Sequence, residues 1–437
     1  MVALRRALPH AVIVAFTVVD DPPTIFEALR AGARGYLLKS TAPARLADLA
    51  GLRVLHLGKF YPPAAGGIET HTQILARGQA DQGLSVRVLC AQHQGRASST
   101  DPDGPVTIHR QARWGSLAKL EILPGLSLTL ARAVRQVDLL HVHVPNPSML
   151  LTLLASGWLE RRARPPVVVT YHSDIVRQKV LGALFRPIER RAYRRVQAIL
   201  ATSPAYAAGS AFLRGQGERV AIVPLGIDLD PYVNPSSQRR EQARRLRQSW
   251  PAGPVWLGCG RMVGYKGFPV AIRAMVHAPG VLVLVGDGPA KPELEALVRR
   301  LGLGGRVLFA GHLPHYLDII PYYLAADAFW CSSIGRAEAF GMTQVEAMAC
   351  GLPILNTAIA GSGVSWVAPH GLTGLTVPVD NPPALAEAAW KLAEQPDQRA
   401  AWGAAAQRRA VAEFDHRVMA DRVAEVYRKV LGGNSAT

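Results

Sequence analysis

Two carboxylates flank a glycine turn in the stretch EAFGMTQVE, residues 338–346. Glu338 lies before the turn, and Glu346 is expected in the first turn of the helix that follows. A carboxylate there compensates the helix dipole, so Glu346 alone is compatible with a structural role. Two carboxylates directed at one space suit a different purpose, because acids accept hydrogen bonds from sugar and ribose hydroxyls. The spacing therefore predicts a site for a polyhydroxylated ligand.

The turn between the two glutamates supplies backbone donors. It comprises Phe340, Gly341, Met342 and Thr343, and the glycine allows the next two amides to face a ligand. Amides fixed in this way stabilise negative charge. The turn therefore predicts that the hydroxyl-rich ligand also carries an anionic group.

Fixed cations occur in a second loop, LGCGRMVGYKG, residues 257–267. Arg261 follows a predicted strand, and Lys266 comes five residues later, before a glycine and a helix. Cations at the carboxyl end of a strand suit a diphosphate, although solvated surface charges are the alternative interpretation.

Two further loops follow predicted strands. In GKFYPPAAGGIETH, residues 58–71, Gly66 and Gly67 precede a helix whose first amides can approach an anion. The stretch lacks the G-x-G-x-x-G spacing of dinucleotide-binding enzymes. In YHSDI, residues 171–175, His172 ends a strand, where a substrate contact and a structural polar pair both remain open.

Histidines also alternate in HVHVP, where His141 and His143 share one strand. No third metal ligand lies nearby in the sequence, so packing or a place at the substrate rim is the prediction. The four cysteines lack paired spacing, so neither a disulfide framework nor a zinc site is predicted, and a reducing cytoplasm fits.

The elements that must position these loops alternate along the chain. From residue 52, short apolar runs such as RVLHLG, DLLHVHV and VLVLVGDG alternate with helical patterns, which is typical of parallel sheets covered on both faces. Two such series flank a connection at residues 224–250, which is rich in Pro, Gly and Ser and then in charge. Doubly wound sheets bind ligands at the carboxyl ends of their strands, so the α/β pattern predicts two sheets facing across a cleft.

The first 50 residues stand apart. The stretch HAVIVAFTVVDDPPTIFEALRAGARGYLLKS resembles the second half of a bacterial response-regulator receiver domain, with Thr17 and Lys39 at its switch-threonine and invariant-lysine positions. The half that would carry the phosphate-accepting aspartate is missing. Residues 1–50 are therefore predicted to be non-functional, and a regulatory role is the alternative.

The chain carries a formal net charge of +17, which predicts anionic partners such as nucleic acid, acidic lipid or phosphorylated metabolites. Residues 176–197 place arginines at helical spacing among apolar residues, which is typical of a helix that binds a membrane surface or a polyanion. A solvated face is the alternative. The arginines are Arg186, Arg190, Arg191, Arg194 and Arg195. The apolar run at 148–159 is shorter than the roughly twenty residues of a membrane-spanning helix, and no secretion signal is predicted.

Taken together, the motifs GKFYPPAAGGIETH, YHSDIVRQK, VPLGID, GCGRMVGYKG, VGDGP and EAFGMTQVE resemble the family-4 retaining glycosyltransferases of the GT-B fold, over residues 52–432. YHSDIVRQK is most similar to a bacterial mannosyl- or rhamnosyltransferase subgroup that builds surface polysaccharides. The resemblance implies a Rossmann-like acceptor domain at 51–226 and a Rossmann-like donor domain at 227–414. A C-terminal helix, 415–432, is expected to pack back on the first.

The same resemblance implies the activity. Mannose or rhamnose would pass from a nucleotide sugar, with GDP favoured, to a lipid-linked or polysaccharide acceptor at the cytoplasmic face of the inner membrane, with retention at the anomeric carbon. No nucleic-acid partner is implied, and no metal cofactor is expected, because the family lacks an Asp-x-Asp metal motif.

The resemblance also distributes roles among the candidate residues. Arg261 and Lys266 would neutralise the leaving diphosphate, and Glu346 would bind the ribose. Glu338 and the 340–343 turn would hold the sugar, with His172 near the reacting carbon. Two alternatives remain open: a regulatory or binding protein with a degenerate sugar-nucleotide module, and a nucleotide-sugar epimerase. The presence of Arg261, Lys266 and both glutamates argues against the first.

Overall fold

The computed structural model of the protein describes residues 14–17, 35–38, 49–64, 66–117, 120–155, 164–173 and 191–432. Of the receiver-like segment these include two short strands, which pair in parallel; Lys39 lies outside the described residues. Most of the predicted basic helix at 176–197, Arg186 and Arg190 included, also lies outside them. None of the helices in the described ranges has the length and apolar character needed to cross a membrane.

Two large sheets form the body of the molecule. The strands, in chain order, are β1 (Val14–Thr17), β2 (Gly35–Leu38), β3 (Arg53–Leu57), β4 (Ser85–Ala91), β5 (Ser99–Asp103), β6 (Val106–Gln111), β7 (Gly115–Leu117), β8 (Leu120–Ile122), β9 (Leu139–Val144), β10 (Val167–Tyr171), β11 (Ala198–Ala201), β12 (Val220–Ile222), β13 (Val255–Cys259), β14 (Val281–Val285), β15 (Val307–Gly311), β16 (Ala328–Cys331), β17 (Ile354–Thr357) and β18 (Gly374–Val377).

The first large sheet has the order β12-β11-β10-β9-β3-β4-β6-β5, and its pairs are parallel except for the edge pair of β5 with β6. The second has the order β15-β14-β13-β16-β17-β18 and is parallel throughout. In the first sheet the chain runs from β3 through β4 toward one edge and later returns to the other side of β3, at β9. In the second sheet it runs from β13 through β14 to β15 and later returns to the other side of β13, at β16. Ligands of doubly wound sheets bind at this switch point, beyond the carboxyl ends of the strands.

Helices cover both faces of the sheets. In chain order they are α1 (Gly67–Asp81), α2 (Leu126–Val134), α3 (Pro147–Ala155), α4 (Pro204–Gly209), α5 (Ala211–Arg214), α6 (Asp230–Val233), α7 (Ser237–Ser249), α8 (Phe268–Ala274), α9 (Lys291–Arg300), α10 (Ile320–Ala325), α11 (Met342–Ala349), α12 (Val364–Val367), α13 (Pro382–Glu394), α14 (Pro396–Phe414) and α15 (His416–Gly432). Because apolar residues lie on both faces of the parallel strands, each sheet has a hydrophobic core on either side.

The last helix, α15, packs on the first sheet. Met419, Val423 and Tyr427 belong to the same buried cluster as Val54 and Val86 of the first sheet. The chain therefore crosses between the two sheets twice.

The two crossings lie side by side. Ile227 N donates to Phe414 O at 3.0 Å, and His416 N donates back to Ile227 O at 3.0 Å. At Gly226 an added Cβ would lie 2.7 Å from Asp415 O, so a side chain has no room there. The connection between the two domains thus consists of two hydrogen-bonded segments.

The buried cluster that contains Val54, Val86 and the residues of α15 also includes Leu49, whose side chain is 3% exposed. Leu52 N donates to Leu49 O, and Gly51 N donates to Gly83 O. Leu49, which lies before the boundary expected after residue 50, therefore packs with the first domain.

Candidate active site

The loop after β13 and the loop after β16 meet through an ion pair. Lys266 Nζ lies 2.6 Å from Glu338 Oε2, and both side chains are largely buried. Ser333 Oγ donates a hydrogen bond to the same carboxylate oxygen at 3.1 Å. Although burial opposes the charged ammonium, Glu338 raises the pKa of Lys266, so the lysine stays protonated. The cation expected to hold phosphate is therefore paired with the carboxylate expected to hold the sugar.

Hydrogen bonds among buried side-chain amides stabilise the glycine turn. Gly341 has φ 83°, which favours glycine, and an added Cβ would overlap the side-chain amide of Gln344. The Gln344 Nε2 group donates to Val364 O at 3.3 Å, and Asn356 Nδ2 donates to Gln344 Oε1 at 3.0 Å. The turn leads into α11, where the Gln344 amide donates to Gly341 O. The first two amides of the helix, those of Met342 and Thr343, have no acceptor within it.

The side chain of Phe340 does not belong to a ligand surface. It is 2% exposed and packs edge-to-face on Phe414, with ring centroids 5.6 Å apart. The expectation that the whole 340–343 turn contacts the sugar is therefore wrong for this side chain, because the core encloses it. Only the main chain of Phe340 remains available.

Glu346 lies in the second turn of α11, since the helix begins at Met342 and has no acidic residue in its first turn. The expectation of a first-turn position is wrong, and with it the explanation by the helix dipole. Tyr323 Oη donates to Glu346 Oε2 at 2.8 Å. Burial raises the pKa of Glu346 to about 7, against the lowering effects of the Tyr323 hydrogen bond and of Lys266. This carboxyl therefore changes charge near neutral pH.

Arg261 is exposed on the loop after β13. That loop packs backbone to backbone against the loop after β14, and Met262 N donates to Asp287 O at 2.8 Å. At Gly286 an added Cβ would overlap the carbonyl of Gly260. The glycine in this second loop is thus required by close approach, and it fixes the backbone from which Arg261 extends.

At the switch point of the first sheet, Gly66 caps α1 and Gly67 begins it. An added Cβ at Gly66 would overlap the carboxylate of Glu69, whereas one at Gly67 would meet nothing within 4 Å. The space beside Gly66 is thus occupied by a protein carboxylate, and the approach of a ligand anion to this glycine pair stays a prediction.

His172 directly follows β10 and belongs to a chain of buried histidines. Its Nε2 lies 3.3 Å from His143 Nδ1, and His143 Nε2 lies 3.0 Å from His56 Nδ1. His56 Nε2 in turn lies 2.7 Å from Gln79 Oε1. Because an amide oxygen only accepts, His56 carries its proton on Nε2, and the roles of the next rings follow. His143 donates from Nε2, His172 donates from Nε2, and His172 Nδ1 is left unprotonated.

These rings are neutral at pH 7. Burial lowers the pKa of His172 to about 3, and burial lowers the pKa of His56 to about 4 despite the hydrogen bond to Gln79. Burial also lowers the pKa of His143. A neutral His172 can therefore act as a hydrogen-bond acceptor but does not supply a positive charge.

The remaining histidine of β9, His141, is tied to the last helix. Its Nδ1 lies 2.5 Å from Tyr427 Oη, and its Nε2 lies 2.6 Å from Thr170 Oγ1. Gln79 Nε2 also donates to Tyr427 Oη, at 3.1 Å. The packing role predicted for His141 agrees with these contacts. The reason given against metal binding fails for both histidines, because His56 lies beside His141 and His143, and His71 and His172 also reach His143.

The Glu338 loop also touches the first domain. Ala339 packs against the hydrophobic cluster of the first sheet, and the Arg336 guanidinium lies 5.1 Å from the Tyr206 ring centroid. At Gly209, on α4, an added Cβ would overlap Gly361 of the second domain. The loop that bears Glu338 is therefore at the domain interface.

Sequence reasoning missed several supporting residues, because nothing in their local sequence marks them. Tyr323 orients Glu346, Gln344 holds the glycine turn, and His56 with Gln79 fixes the protons of the histidine chain. His56 is the exception, because a polar residue inside the otherwise apolar strand RVLHL is a local signal.

Two sequence families match the chain: "Glycosyltransferase Family 4" over residues 65–231 and "Glycosyl transferases group 1" over residues 243–409. The D-rhamnosyltransferase WbpZ of Pseudomonas aeruginosa is 34% identical over 82% of this chain and 91% of its own length. The O-antigen chain mannosyltransferase C of Escherichia coli is 30% identical over 86% of this chain and 97% of its own.

Solved structures share the architecture. Sucrose-phosphate synthase from Thermosynechococcus elongatus superposes with a TM-score of 0.69 at 23% identity, covering 87% of this chain and 100% of that one. HepE of Anabaena, in complex with UDP, superposes with a TM-score of 0.69 at 23% identity, covering 86% and 100%. The predicted GT-B fold is confirmed.

Proposed function

This chain belongs to the group 1 and family 4 glycosyltransferases, and we propose that it transfers mannose or rhamnose from a nucleotide sugar, with a GDP-sugar favoured. The acceptor is a lipid-linked or polysaccharide glycan of the cell surface, and the anomeric configuration is retained. The observation that carries this proposal is the buried Lys266–Glu338 pair, because the loop that bears Glu338 also contacts the first domain. It supplies charge for a leaving diphosphate and an acceptor for sugar hydroxyls at one place.

In this proposal the second domain holds the donor. Glu346, oriented by Tyr323, accepts hydrogen bonds from the ribose diol. The first amides of α11 and the Lys266 ammonium neutralise the diphosphate, and the exposed Arg261 reaches it from the adjacent loop. Charge develops on this diphosphate as the glycosidic bond breaks, so groups that bind it more strongly in the transition state accelerate the reaction.

The first domain supplies contacts to the sugar and the acceptor. The unprotonated Nδ1 of His172 accepts a hydrogen bond from a sugar hydroxyl, and its proton position is set by Gln79 through His56 and His143. Gly66 and the first turn of α1 lie at the switch point of this sheet. No covalent intermediate is proposed.

The relatives support the sugar and the pathway class. One is named a D-rhamnosyltransferase and another an O-antigen chain mannosyltransferase, and the matches span most of both chains. The Anabaena structure was determined with UDP. The base of the donor nucleotide is therefore the first property to measure.

A donor screen tests the proposal. Thermal unfolding with GDP-, UDP- and dTDP-sugars should show the largest stabilisation with a GDP-sugar, because a ligand stabilises the state that binds it. Transfer of labelled mannose or rhamnose to a lipid-linked acceptor should follow, and NMR of the product should show the donor's anomeric configuration. A protein that binds the donor but releases no sugar would be a binding protein. Conversion of the donor to an epimer without any acceptor would identify an epimerase.

The proposed place of action is the cytoplasmic face of the inner membrane. The net charge of +17 favours anionic headgroups by about 1 kcal/mol for each basic residue near the surface. Sedimentation with anionic vesicles should exceed that with neutral vesicles and should weaken as salt is added. Equal binding to both kinds of vesicle would remove the electrostatic basis of this proposal.

A further inference from the structure

Three buried histidines converge beneath the first-domain switch point. His71 comes from α1, His143 from β9 and His172 from the end of β10. One ring nitrogen of each lies within 4.8 Å of those of the other two. All three side chains are more than nine-tenths buried.

The spacing of one pair already suits a metal ion. His143 Nδ1 and His172 Nε2 are 3.3 Å apart. A tetrahedral zinc ion with bonds to nitrogen of 2.0–2.1 Å holds two ligand nitrogens about 3.3 Å apart. The ion would replace a long hydrogen bond between these two rings, and rotation of the His71 ring would bring the third nitrogen closer.

The hydrogen-bond chain behind His143 prepares it as a ligand. Its Nε2 donates to His56 Nδ1, and His56 Nε2 donates to Gln79 Oε1. The Nδ1 lone pair of His143 therefore faces the cluster. Ligating histidines commonly donate their second ring nitrogen to such an outer partner, which fixes the tautomer and the ring orientation.

His71 supplies an independent observation. Both of its ring nitrogens are buried without a hydrogen-bond partner among the described residues. A buried polar atom without a partner costs about 1 to 3 kcal/mol. Coordination would satisfy one of these two nitrogens.

A second triad, His56, His141 and His143, is a weaker candidate. Both nitrogens of His56 and both nitrogens of His141 already have partners: His143, Gln79, Tyr427 and Thr170. Binding a metal there would break these hydrogen bonds, whereas the first triad gives up only the 3.3 Å contact.

We propose that His71, His143 and His172 form a binding site for a divalent transition metal of the zinc class. Three neutral imidazoles without a carboxylate select zinc or a similar ion over magnesium or calcium. The site is distinct from the diphosphate position, where Lys266 and Arg261 supply the charge.

Metal binding also has a consequence for sugar transfer, and this consequence rests on the proposed function. Coordination through Nε2 moves the His172 proton from Nε2 to Nδ1. The Nδ1 atom then donates instead of accepting, so it no longer receives a hydrogen bond from the sugar hydroxyl. A bound metal is therefore expected to inhibit transfer.

The test measures metal binding directly, without donor or acceptor. Metal-free wild-type protein is titrated with Co²⁺, whose visible absorption reports tetrahedral nitrogen coordination, and Zn²⁺ is then added to displace it. We expect one ion per chain. The variant His71→Asn should lose affinity at least tenfold, and the matched variant His141→Asn should retain it. No tetrahedral Co²⁺ spectrum in the wild type, or equal affinity in His71→Asn, would overturn the site.

Anomalous diffraction from wild-type crystals soaked in Zn²⁺ requires no variant and keeps the test decisive if His71→Asn does not fold. A peak at bonding distance from the three nitrogens supports the proposal, and peaks confined to other histidines overturn it. Transfer activity is assayed separately with and without Zn²⁺. Absence of metal binding with intact transfer would refute this site alone. Metal binding by a protein that shows no transfer even when it is metal-free would refute the proposed function alone.

Discussion

Lys266 Nζ and Glu338 Oε2 lie 2.6 Å apart, in loops that begin at the carboxyl ends of adjacent strands, β13 and β16. Removing one partner of a buried ion pair leaves the other charge uncompensated. An incoming diphosphate must therefore share Lys266 with Glu338 or take it over. The pair links donor binding to the position of the carboxylate that is proposed to hold the sugar.

Glu338→Gln should separate these two roles. Without the carboxylate charge, Lys266 is more available to phosphate, so affinity for the bare nucleoside diphosphate should stay the same or rise. Turnover should fall by about tenfold to a hundredfold, corresponding to the roughly 1.5 to 3 kcal/mol of a hydrogen bond to a charged group. Calorimetry with the nucleotide and steady-state kinetics measure the two effects. Lys266→Met is the matched control and should lower the affinity for the nucleoside diphosphate. Weaker nucleotide binding by Glu338→Gln would contradict the assignment.

Glu346→Gln should act mainly on the nucleotide. Loss of a charged hydrogen bond to ribose should cost about 1.5 to 3 kcal/mol of binding free energy, visible with the nucleoside diphosphate alone. Tyr323→Phe removes only the hydroxyl that orients Glu346 and should cause a smaller loss. If Glu346→Gln binds the nucleotide as the wild type does, Glu346 does not hold the ribose.

Nucleotide affinity should depend on pH through Glu346. Burial raises the pKa of its carboxyl to about 7, so the acceptor is charged above this pH and protonated below it. Affinity should rise as the pH increases through 7. Phosphate itself ionises near pH 6, but this contribution is common to Glu346→Gln. The difference between the pH profiles of the wild type and Glu346→Gln gives the contribution of the Glu346 carboxyl. Parallel profiles would show that this carboxyl does not cause the pH dependence of nucleotide affinity.

The buried histidines should make the fold sensitive to acid. Burial holds the pKa of His172 at about 3 and that of His56 at about 4, below the value of about 6.5 in an unfolded chain. Above pH 6.5 neither state binds the protons, so stability does not change. As the pH falls further, the unfolded chain binds these protons first, and each of the two histidines should remove about 1.4 kcal/mol per pH unit. The raised pKa of Glu346 acts in the opposite direction below about pH 7 and offsets one of them, so a net loss remains. Urea unfolding at about pH 7.5 and about pH 5 measures the loss. Equal free energies of unfolding would contradict it.

Gly209→Ala should disturb the domain interface. The new Cβ would overlap Gly361 on the opposite domain, and forced overpacking costs about 1 to 3 kcal/mol. Turnover should fall while nucleotide binding by the second domain is retained. Gly305→Ala is the matched control, because an added Cβ there meets nothing within 4 Å. Full activity of Gly209→Ala would show that this contact is not needed during catalysis.

Truncation should locate the start of the folded domain before Leu49. Removal of residues 1–47 should leave stability and activity unchanged, because the contacts described for the first domain begin at Leu49. Removal of residues 1–51 also deletes Leu49 and should cost about 2 to 5 kcal/mol, as for other buried leucines. Thermal unfolding of the two truncated proteins compares them. Loss of activity on removing 1–47 alone would indicate a function for the segment.

The sequence alone determined the two parallel sheets and the loops that carry the chemistry. Strand patterns and the glycine turns around Arg261, Lys266 and Glu338 are local, because each depends on residues within a few positions of one another. Because parallel sheets bind ligands at the carboxyl ends of their strands, the sequence also predicts that these loops lie at one edge of a sheet.

Only the tertiary structure decided how these residues are paired. Lys266 meets Glu338 because the strand order places β13 beside β16, and Glu346 meets Tyr323 because α10 packs near α11. The histidine chain joins α1, β3, β9 and the end of β10, and through Gln79 it reaches Tyr427 of α15. Such contacts join residues far apart in the chain. Strand order and helix packing set them, and no local pattern of residue types encodes either.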